Sequence, residues 1–205
     1  MAEGPRRASW EGAAEGAIGC DEGSMLRLTR PTLIALMGYP GAGKSTLARW
    51  LAGRSAGLQI VSRDTIRAAM FDPCSYSDAE EQAAFEATAL AVSAVIQRGQ
   101  SAIADGMCFY DVGTLEVLRG IAAANRVLFW PVYCSIRLET AITRVEEDHR
   151  MRRHPVAHRN GELVRKIAAE FRTLPPDGML IDMEEGAEKA GNQLVSLLKE
   201  RMEAR

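Results

Sequence analysis

Short apolar segments alternate with longer amphipathic segments along most of the chain. Five segments are short and mostly apolar, as in buried β-strands: residues 32–37, 58–62, 101–105, 126–133 and 178–182. Continuous apolar runs of this kind are typical of parallel sheets that are covered on both faces. Pro131 lies inside the fourth segment. Because proline cannot donate to a sheet ladder, we expect a bulge or an early strand end there.

The segments between these strands have the apolar spacing of helices. They predict helices over residues 44–53, 64–71, 77–99, 111–124, 136–148, 161–173 and 186–203. Ser77 or Asp78 can cap the third of these helices. Strands that alternate with helices in this way form a parallel sheet with crossover connections. The expected fold class is therefore α/β, a three-layer sandwich around a five-stranded parallel sheet.

The length of the chain fits one domain. Its 205 residues are enough to bury a full core around one sheet. Residues 1–30 are rich in Gly, Ala and Glu, with neither helical nor strand periodicity, so we expect a flexible tail there. We expect the folded domain over residues 31–205.

Charge and cysteine usage exclude several classes of protein. The formal net charge is −2, so the chain as a whole has no attraction for a nucleic-acid backbone. No apolar run approaches the roughly 20 residues needed to cross a bilayer, and we expect no membrane partner. The cysteines lack the spacing of a zinc site or a disulfide scaffold: they are Cys20, Cys74, Cys108 and Cys134. This pattern is typical of reduced thiols in a cytoplasmic protein.

The segment GYPGAGKST follows the first predicted strand and opens the first predicted helix. This is the context that the phosphate-binding P-loop pattern G-x-x-x-x-G-K-S requires. Its glycines let backbone N–H groups point at phosphates, and the helix N-terminus adds positive charge. Lys44 would bridge the terminal phosphates of ATP, and the Ser45 hydroxyl would ligate Mg²⁺. The residues expected to bind ATP are Gly38, Tyr39, Pro40, Gly41, Ala42, Gly43, Lys44, Ser45 and Thr46.

The second strand ends in SRDTIR, which places a carboxylate and an arginine three residues apart. Asp64 and Arg67 therefore lie on one face of the helix that follows. Parallel strands deliver their carboxyl ends to one crevice, so Asp64 is expected across from Lys44. A carboxylate there can take the proton of an acceptor hydroxyl, and an arginine can neutralise the phosphoryl group in transit. Both residues are candidates for catalysis and for substrate binding.

The motifs GYPGAGKST, SRDTIR and SAIADGMCF resemble those of P-loop kinases of the polynucleotide kinase and zeta-toxin-like group, an AAA-type ATP-binding family. The resemblance covers most of residues 32–182. In bacteriophage polynucleotide kinase an Arg-Asp-x-x-Arg element supplies the general base and an arginine on the reacting phosphate. The resemblance assigns these roles to Asp64 and Arg67. Asp105, at the end of the third strand, would hold Mg²⁺ through water or fix a substrate hydroxyl, although GMCF replaces the polar pair usual in the family.

A basic segment follows Arg144 and resembles the lid of these kinases. Between residues 150 and 159 it has four arginines and no acid. Such a lid closes over ATP and brings arginines to the transferring phosphate. We expect the lid over about residues 144–162. Arg144 aligns best with the family's lid arginine, and the candidates for a second one are Arg150, Arg152 and Arg153.

Together these features predict an ATP-dependent kinase that uses ATP and Mg²⁺ and moves the γ-phosphate to a hydroxyl. A nearly neutral, single-domain chain favours a small acceptor such as a nucleoside, a sugar or a natural product. The resemblance keeps a 5′-hydroxyl nucleic-acid end open as a second kind of acceptor. The same motifs also occur in a zeta-type toxin kinase, and the phosphate-binding segment alone would suit a nucleotide-binding ATPase without an acceptor.

Overall fold

The computed structural model of the protein describes residues 26–107, 112–151, 160–170 and 175–203. It contains five strands and seven helices within these ranges. The strands are β1 Thr32–Met37, β2 Leu58–Ser62, β3 Ser101–Asp105, β4 Leu128–Ser135 and β5 Met179–Asp182. The helices are α1 Lys44–Ala52, α2 Arg63–Met70, α3 Asp78–Gln97, α4 Val112–Ala124, α5 Leu138–Arg150, α6 Gly161–Glu170 and α7 Ala187–Glu203.

The five strands form one sheet in the order β2-β3-β1-β4-β5, and every pair is parallel. β1 is central and pairs with β3 on one side and with β4 on the other. All residues of β1 and β3 are buried, which explains why their sequences are continuous apolar runs rather than alternating ones. The predicted fold class, a three-layer α/β sandwich with a five-stranded parallel sheet, is confirmed.

Each face of the sheet has its own core. On one face Ile34 and Leu36 of β1 pack in a cluster with side chains of α1, α5, α6 and α7. On the other face Leu33, Ala35 and Met37 pack with α3 and α4. Alternate residues of the same strand therefore contribute to opposite layers, as the pleat of a strand requires.

Within the described ranges, no helix is both long enough and apolar enough to cross a membrane.

Pro131 does not interrupt β4, so the expected bulge or early strand end is wrong. The strand continues to Ser135, two residues beyond the predicted end at residue 133. Pro131 is paired with Ala35 of β1, whereas β5 pairs with β4 only from Val132 onward. On the β5 side Pro131 therefore has no ladder partner to lose, and a missing N–H is tolerated there.

Residues 26–30 pack on the domain, although the sequence predicts its start at residue 31. The side chain of Leu26 is buried in the core, and its backbone N–H donates to the carbonyl of Arg54 at 3.1 Å. Leu28 packs against the same cluster. Residues 26–30 are thus part of the fold, because burial of the Leu26 side chain stabilises their packing on the domain. The composition of this segment does not reveal that contact. The rest of the predicted tail lies outside the described residues.

The close packing of α7 on α1 gives a stability prediction. Gly191 of α7 lies against Trp50 of α1, and a Cβ at this glycine would overlap the indole ring. We expect Gly191→Ala to lower the free energy of unfolding by about 1–3 kcal/mol, because the ring has to move out of its packed position. The matched control is Gly120→Ala in α4, where no atom lies within 4 Å of the added Cβ. The control should gain about 0.5–1 kcal/mol from helix propensity. Urea unfolding of both variants measures this, and an equal gain in both would contradict it.

Candidate functional site

A cleft of about 880 Å³ opens at the carboxyl ends of the strands. This is where open parallel sheets bind ligands. Its lining comes from the loop after β1, the start of α2, the turn after β3, and helices α5 and α6. The charged residues among the lining are Lys44, Arg49, Arg63, Asp64, Arg67, Glu81, Arg144, Glu147, Asp148, Lys166 and Glu170.

The loop after β1 has the geometry of a phosphate cradle. Gly38, Gly41 and Gly43 have φ of 133°, 84° and 88°, which residues with a Cβ rarely adopt. A Cβ on Gly38 would lie 2.7 Å from the Cys134 carbonyl oxygen, and one on Gly41 would lie 2.5 Å from that of Ala141. Glycine is therefore required at both positions for conformation and for space. The loop ends directly at the N-terminus of α1, which favours an anion.

Lys44 is the first residue of α1 and turns back into this loop. Its side chain is buried, and Nζ donates to the carbonyls of Gly38 and Tyr39, each at 2.8 Å. These two bonds hold the ammonium group at the centre of the loop. Ser45 and Thr46, the next residues of α1, are exposed and line the cleft. The structure thus brings the predicted nucleotide-binding residues together on one loop and one helix turn.

Asp64 and Arg67 lie on the first two turns of α2, which starts directly after β2. The Ser62 hydroxyl caps this helix by accepting from the Thr65 N–H at 3.4 Å. Both Asp64 and Arg67 line the same cleft as Lys44. The Asp64 side chain is 45% exposed, and its Oδ1 is 4.0 Å from Nη1 of Arg67, at the limit of an ion pair. Asp64 therefore remains accessible to a ligand in the cleft.

Gly106 fixes the position of Asp64 from the neighbouring strand. It follows β3 directly, has φ of 79°, and lines the cleft. A Cβ there would lie 3.1 Å from the backbone nitrogen of Asp64 and 3.3 Å from its carboxylate. The backbone turn after β3 thus packs directly against the Asp64 carboxylate. The glycine in GMCF, a departure from the pattern of the resembling family, has a steric reason here.

Glu81 is a cleft residue that was not predicted from the sequence. It lies on the first turn of α3 and pairs with two arginines of α2 at once. Its Oε2 accepts from Nη1 of Arg63 at 2.8 Å, and its Oε1 lies 2.6 Å from Nη2 of Arg67. The Arg67 contact is an ion pair whose N–H direction is too oblique for a hydrogen bond. A helix-capping signal marks this turn in the sequence, but nothing there pairs Glu81 with α2.

Tyr76 completes this side of the cleft, and it was not predicted either. The Arg67 guanidinium carbon lies 4.9 Å from the centre of its ring. The loop before α3 is held by Glu80, whose carboxylate accepts from the Ser75 hydroxyl and from the N–H groups of Ser75 and Tyr76. The hydrogen bond from the Ser75 hydroxyl is the main cause that lowers the pKa of Glu80. Tyr76 has a positive φ of 55°, a conformation that its sequence neighbours do not indicate.

Asp105 is buried at the end of β3, where it is paired with Ser62 of β2. Its Oδ1 has no hydrogen-bond partner among the described residues. A buried carboxylate oxygen without a donor is costly unless a cation or water satisfies it. No group of three or more His, Cys, Asp or Glu residues with metal-binding geometry occurs in the described ranges. A single carboxylate such as that of Asp105 fits Mg²⁺, because proteins hold this ion through one or two of their own oxygens together with phosphates and water.

Of the two predicted lid arginines that the structure describes, Arg144 lies at the loop. It projects from α5, and its Nη1 donates to the Gly41 carbonyl at 3.5 Å. Arg150 lies at the exposed C-terminal end of the same helix and is not among the described residues that line the cleft. The helix predicted to end at about residue 148 extends through Arg150 as α5. Arg152 and Arg153 lie outside the described residues.

Cys134 lies beside the cradle but is not reactive. Burial raises the pKa of its thiol to about 12, with the Asp105 carboxylate adding to the rise and the Lys44 ammonium opposing it. The thiol is therefore neutral at physiological pH, and a neutral thiol is a poor nucleophile. Cys134 and Cys74 are free, in line with the predicted reduced thiols. Cys20 and Cys108 lie outside the described residues.

Solved structures of similar fold are kinases and related nucleotide-binding proteins. The APS kinase CysC of Mycobacterium tuberculosis, in complex with AMPPNP and APS, is 15% identical with a TM-score of 0.63, over 83% of this chain and 98% of that one. Kti12 of Chaetomium thermophilum, in complex with ADP-AlF3, is 20% identical with a TM-score of 0.62, over 82% and 97%. A sugar kinase of Janibacter sp. HTCC2649 is 19% identical with a TM-score of 0.59, over 82% and 95%. At these identities the likeness shows a shared fold.

The family comparison rests on sequence. No curated protein sequence matches the chain significantly. Residues 33–172, which are more than half of the chain, match the model of a family described as AAA domain. This range runs from β1, through the phosphate cradle and both α2 arginines, beyond the end of α6. The chain therefore belongs to the AAA-domain family, and its fold is that of the P-loop kinases.

Proposed function

We infer that the protein is an ATP-dependent kinase that transfers the γ-phosphate to a hydroxyl of a small molecule such as a nucleoside, a sugar or a natural product. One observation carries this inference. Lys44, in the phosphate cradle, and Asp64, an accessible carboxylate, line the same cleft. A cleft of about 880 Å³ has room for a nucleotide and a small acceptor together.

On the donor side, the backbone of residues 38–46 cradles the phosphates of ATP. Lys44 neutralises charge on the terminal phosphates as the γ-phosphoryl group separates. Arg144 contacts the carbonyl of Gly41 in the cradle and adds positive charge there. The Ser45 hydroxyl and the Asp105 carboxylate would hold Mg²⁺, which would supply positive charge that offsets the charge of the phosphates. Arg150 has no place in this proposal, because it lies at the exposed C-terminal end of α5 and outside the cleft lining. Asp105 is also outside that lining, but it is buried next to Gly106, which is part of it.

On the acceptor side, Asp64 orients the hydroxyl and takes its proton as the oxygen attacks the γ-phosphorus. Its side chain is 45% exposed and only loosely paired with Arg67, so it can accept a hydrogen bond from a ligand. Arg67 contacts Glu81 through Nη2, and its Nη1, on the Asp64 side, adds positive charge near the transferring group. Among structures of the same fold, the APS kinase and the sugar kinase are named for small-molecule substrates, which supports an acceptor of this class.

The test is a screen with γ-labelled ATP against hydroxyl compounds and 5′-hydroxyl oligonucleotides. We expect label to move to at least one nucleoside, sugar or natural product. Label that moves only to oligonucleotide ends would replace the small-molecule proposal with a polynucleotide kinase. ATP hydrolysis without label in any compound, at a rate that replacing Asp64 leaves unchanged, would indicate an ATPase without an acceptor.

A further inference from the structure

Two arginines on α2 converge on one carboxylate of α3. Arg63 and Arg67 are one helical turn apart, and Glu81 accepts from the first at 2.8 Å and contacts the second at 2.6 Å. All three side chains line the cleft beside Asp64. Two guanidinium groups this close together make a strong site for a phosphate or carboxylate. In this protein that position is filled by the protein's own anion.

Arg63 and Arg67 are fixed by their contacts and are not mobile charges on the surface. Arg67 is 3% exposed and stacks on the Tyr76 ring at 4.9 Å, and Tyr76 lies in the loop that Glu80 fixes. The Nε atoms of Arg63 and Arg67 are both buried without a hydrogen-bond partner among the described residues. Glu81 itself is 41% exposed on the cleft side. The pair therefore has unused donors, and the Glu81 carboxylate, which contacts an Nη atom of each arginine, also lines the cleft.

We propose that Glu81 determines acceptor specificity: it occupies the arginine pair as an internal anion, so that the site takes hydroxyl compounds without a phosphate near the reacting hydroxyl. This inference rests on the proposed kinase function. A phosphate-bearing acceptor would have to displace Glu81 or lie beside it. The phosphate and the Glu81 carboxylate are both negative and repel each other at close range. An uncharged acceptor meets no such repulsion, because Glu81 and Asp64 together balance the two guanidinium charges.

The same geometry also admits a purely structural role, in which Glu81 only ties α2 to α3. The two roles differ in what they predict. A structural tie predicts lower stability with unchanged preference among ligands. The internal anion predicts that removing the negative charge exposes the arginine pair and creates a phosphate site. Ligand preference, rather than total activity, is therefore the decisive measurement.

The test compares Glu81→Gln with the wild-type full chain. With AMPPNP and Mg²⁺ saturating the cradle, inorganic phosphate is titrated by calorimetry. We expect Glu81→Gln to bind phosphate at least about tenfold more tightly than the wild type, because charge-assisted bonds to both arginines become available. Glu86→Gln is the matched control, since Glu86 lies on the same helix, is exposed, and bonds to Gln82 instead. It should bind phosphate like the wild type.

A second arm uses whichever hydroxyl compound the labelled-ATP screen finds, together with its derivative phosphorylated on a neighbouring oxygen. The wild type should have the higher kcat/KM for the unphosphorylated compound, and Glu81→Gln should shift the ratio towards the phosphorylated one by about tenfold or more. If Glu81→Gln folds poorly, Glu81→Ala with phosphate replaces it. Phosphate should then raise the melting temperature of Glu81→Ala more than that of the wild type.

The outcomes are separable from those of the proposed function. If no compound accepts phosphate, the kinase proposal fails. The phosphate titration still decides whether Glu81 keeps anions from the arginine pair. Phosphate binding by Glu81→Gln and Glu81→Ala no tighter than by the wild type would overturn the specificity role. A wild type that prefers the phosphorylated acceptor would overturn it as well.

Discussion

Lys44→Ala is expected to reduce ATP turnover by at least about 100-fold and to weaken ATP binding. The ammonium group is buried at the centre of the cradle, 2.8 Å from the carbonyl oxygens of Gly38 and Tyr39. No other described cation occupies that position, because Arg144 approaches the loop from outside, at the Gly41 carbonyl. The loss therefore removes both a phosphate ligand and the charge that stabilises the separating phosphoryl group. Hydrolysis or transfer of labelled ATP measures turnover, and calorimetry with AMPPNP measures affinity.

Lys189→Ala is the control for this prediction. Lys189 lies on the exposed face of α7, where it pairs with Glu185 at 2.6 Å, and it does not line the cleft. Its removal should leave turnover and affinity unchanged, since exposed pairs of this kind contribute little. Wild-type turnover in Lys44→Ala, with the fold intact by circular dichroism, would show that the cradle is not the ATP site.

Asp64→Asn is expected to preserve ATP binding and to reduce phosphoryl transfer by at least about 100-fold, the usual size of a general-base contribution. Asparagine keeps the size of the side chain and its fit against Gly106, so the cleft keeps its shape. It cannot take the proton of an acceptor hydroxyl. Affinity for AMPPNP and the transfer rate are measured separately for this reason. Asp78→Asn, an exposed acid on the first turn of α3, is the matched control and should be close to wild type.

Comparison of the two variants tests the division of roles between the cradle and the acceptor side. Lys44→Ala should lose affinity and turnover together, whereas Asp64→Asn should lose transfer alone. Equal loss of ATP affinity in both would contradict the assignment of Asp64 to the acceptor. A normal transfer rate in Asp64→Asn would also contradict it, because transfer would then proceed without the carboxylate that is proposed as the base.

The parts of the site that sequence predicted are those encoded locally. The cradle follows from glycine spacing between a strand and a helix, and the shared face of Asp64 and Arg67 follows from their separation of three residues. Both features depend only on backbone geometry within one loop or one helix. The sheet was predictable for a similar reason, since continuous apolar runs such as that of β1 mark strands buried on both faces.

The parts that sequence did not predict depend on which elements become neighbours. Glu81 meets Arg63 across 18 residues, because α2 and α3 pack together after an irregular loop. Leu26 is buried through a contact with the segment after α1, which its own surroundings in sequence do not indicate. Pro131 is tolerated because of where β5 begins, a property of the neighbouring strand. In each case a tertiary partner overrides the local signal.

The position of β3 between β1 and β2 sets the distance between the phosphate cradle after β1 and Asp64 after β2, which the γ-phosphate and the acceptor hydroxyl would have to bridge. Adjacent strands lie about 4.8 Å apart, so the ends of β1 and β2 are separated by roughly 10 Å. The ends of β1 and β2 are both hydrogen-bonded to β3, so they cannot approach each other without breaking the sheet. This distance is thus set by the sheet, whereas the selectivity that we propose depends on side chains of α2 and α3. On the proposed function, substitutions on these two helices are expected to change the preferred acceptor while the distance between the cradle and Asp64 stays constant.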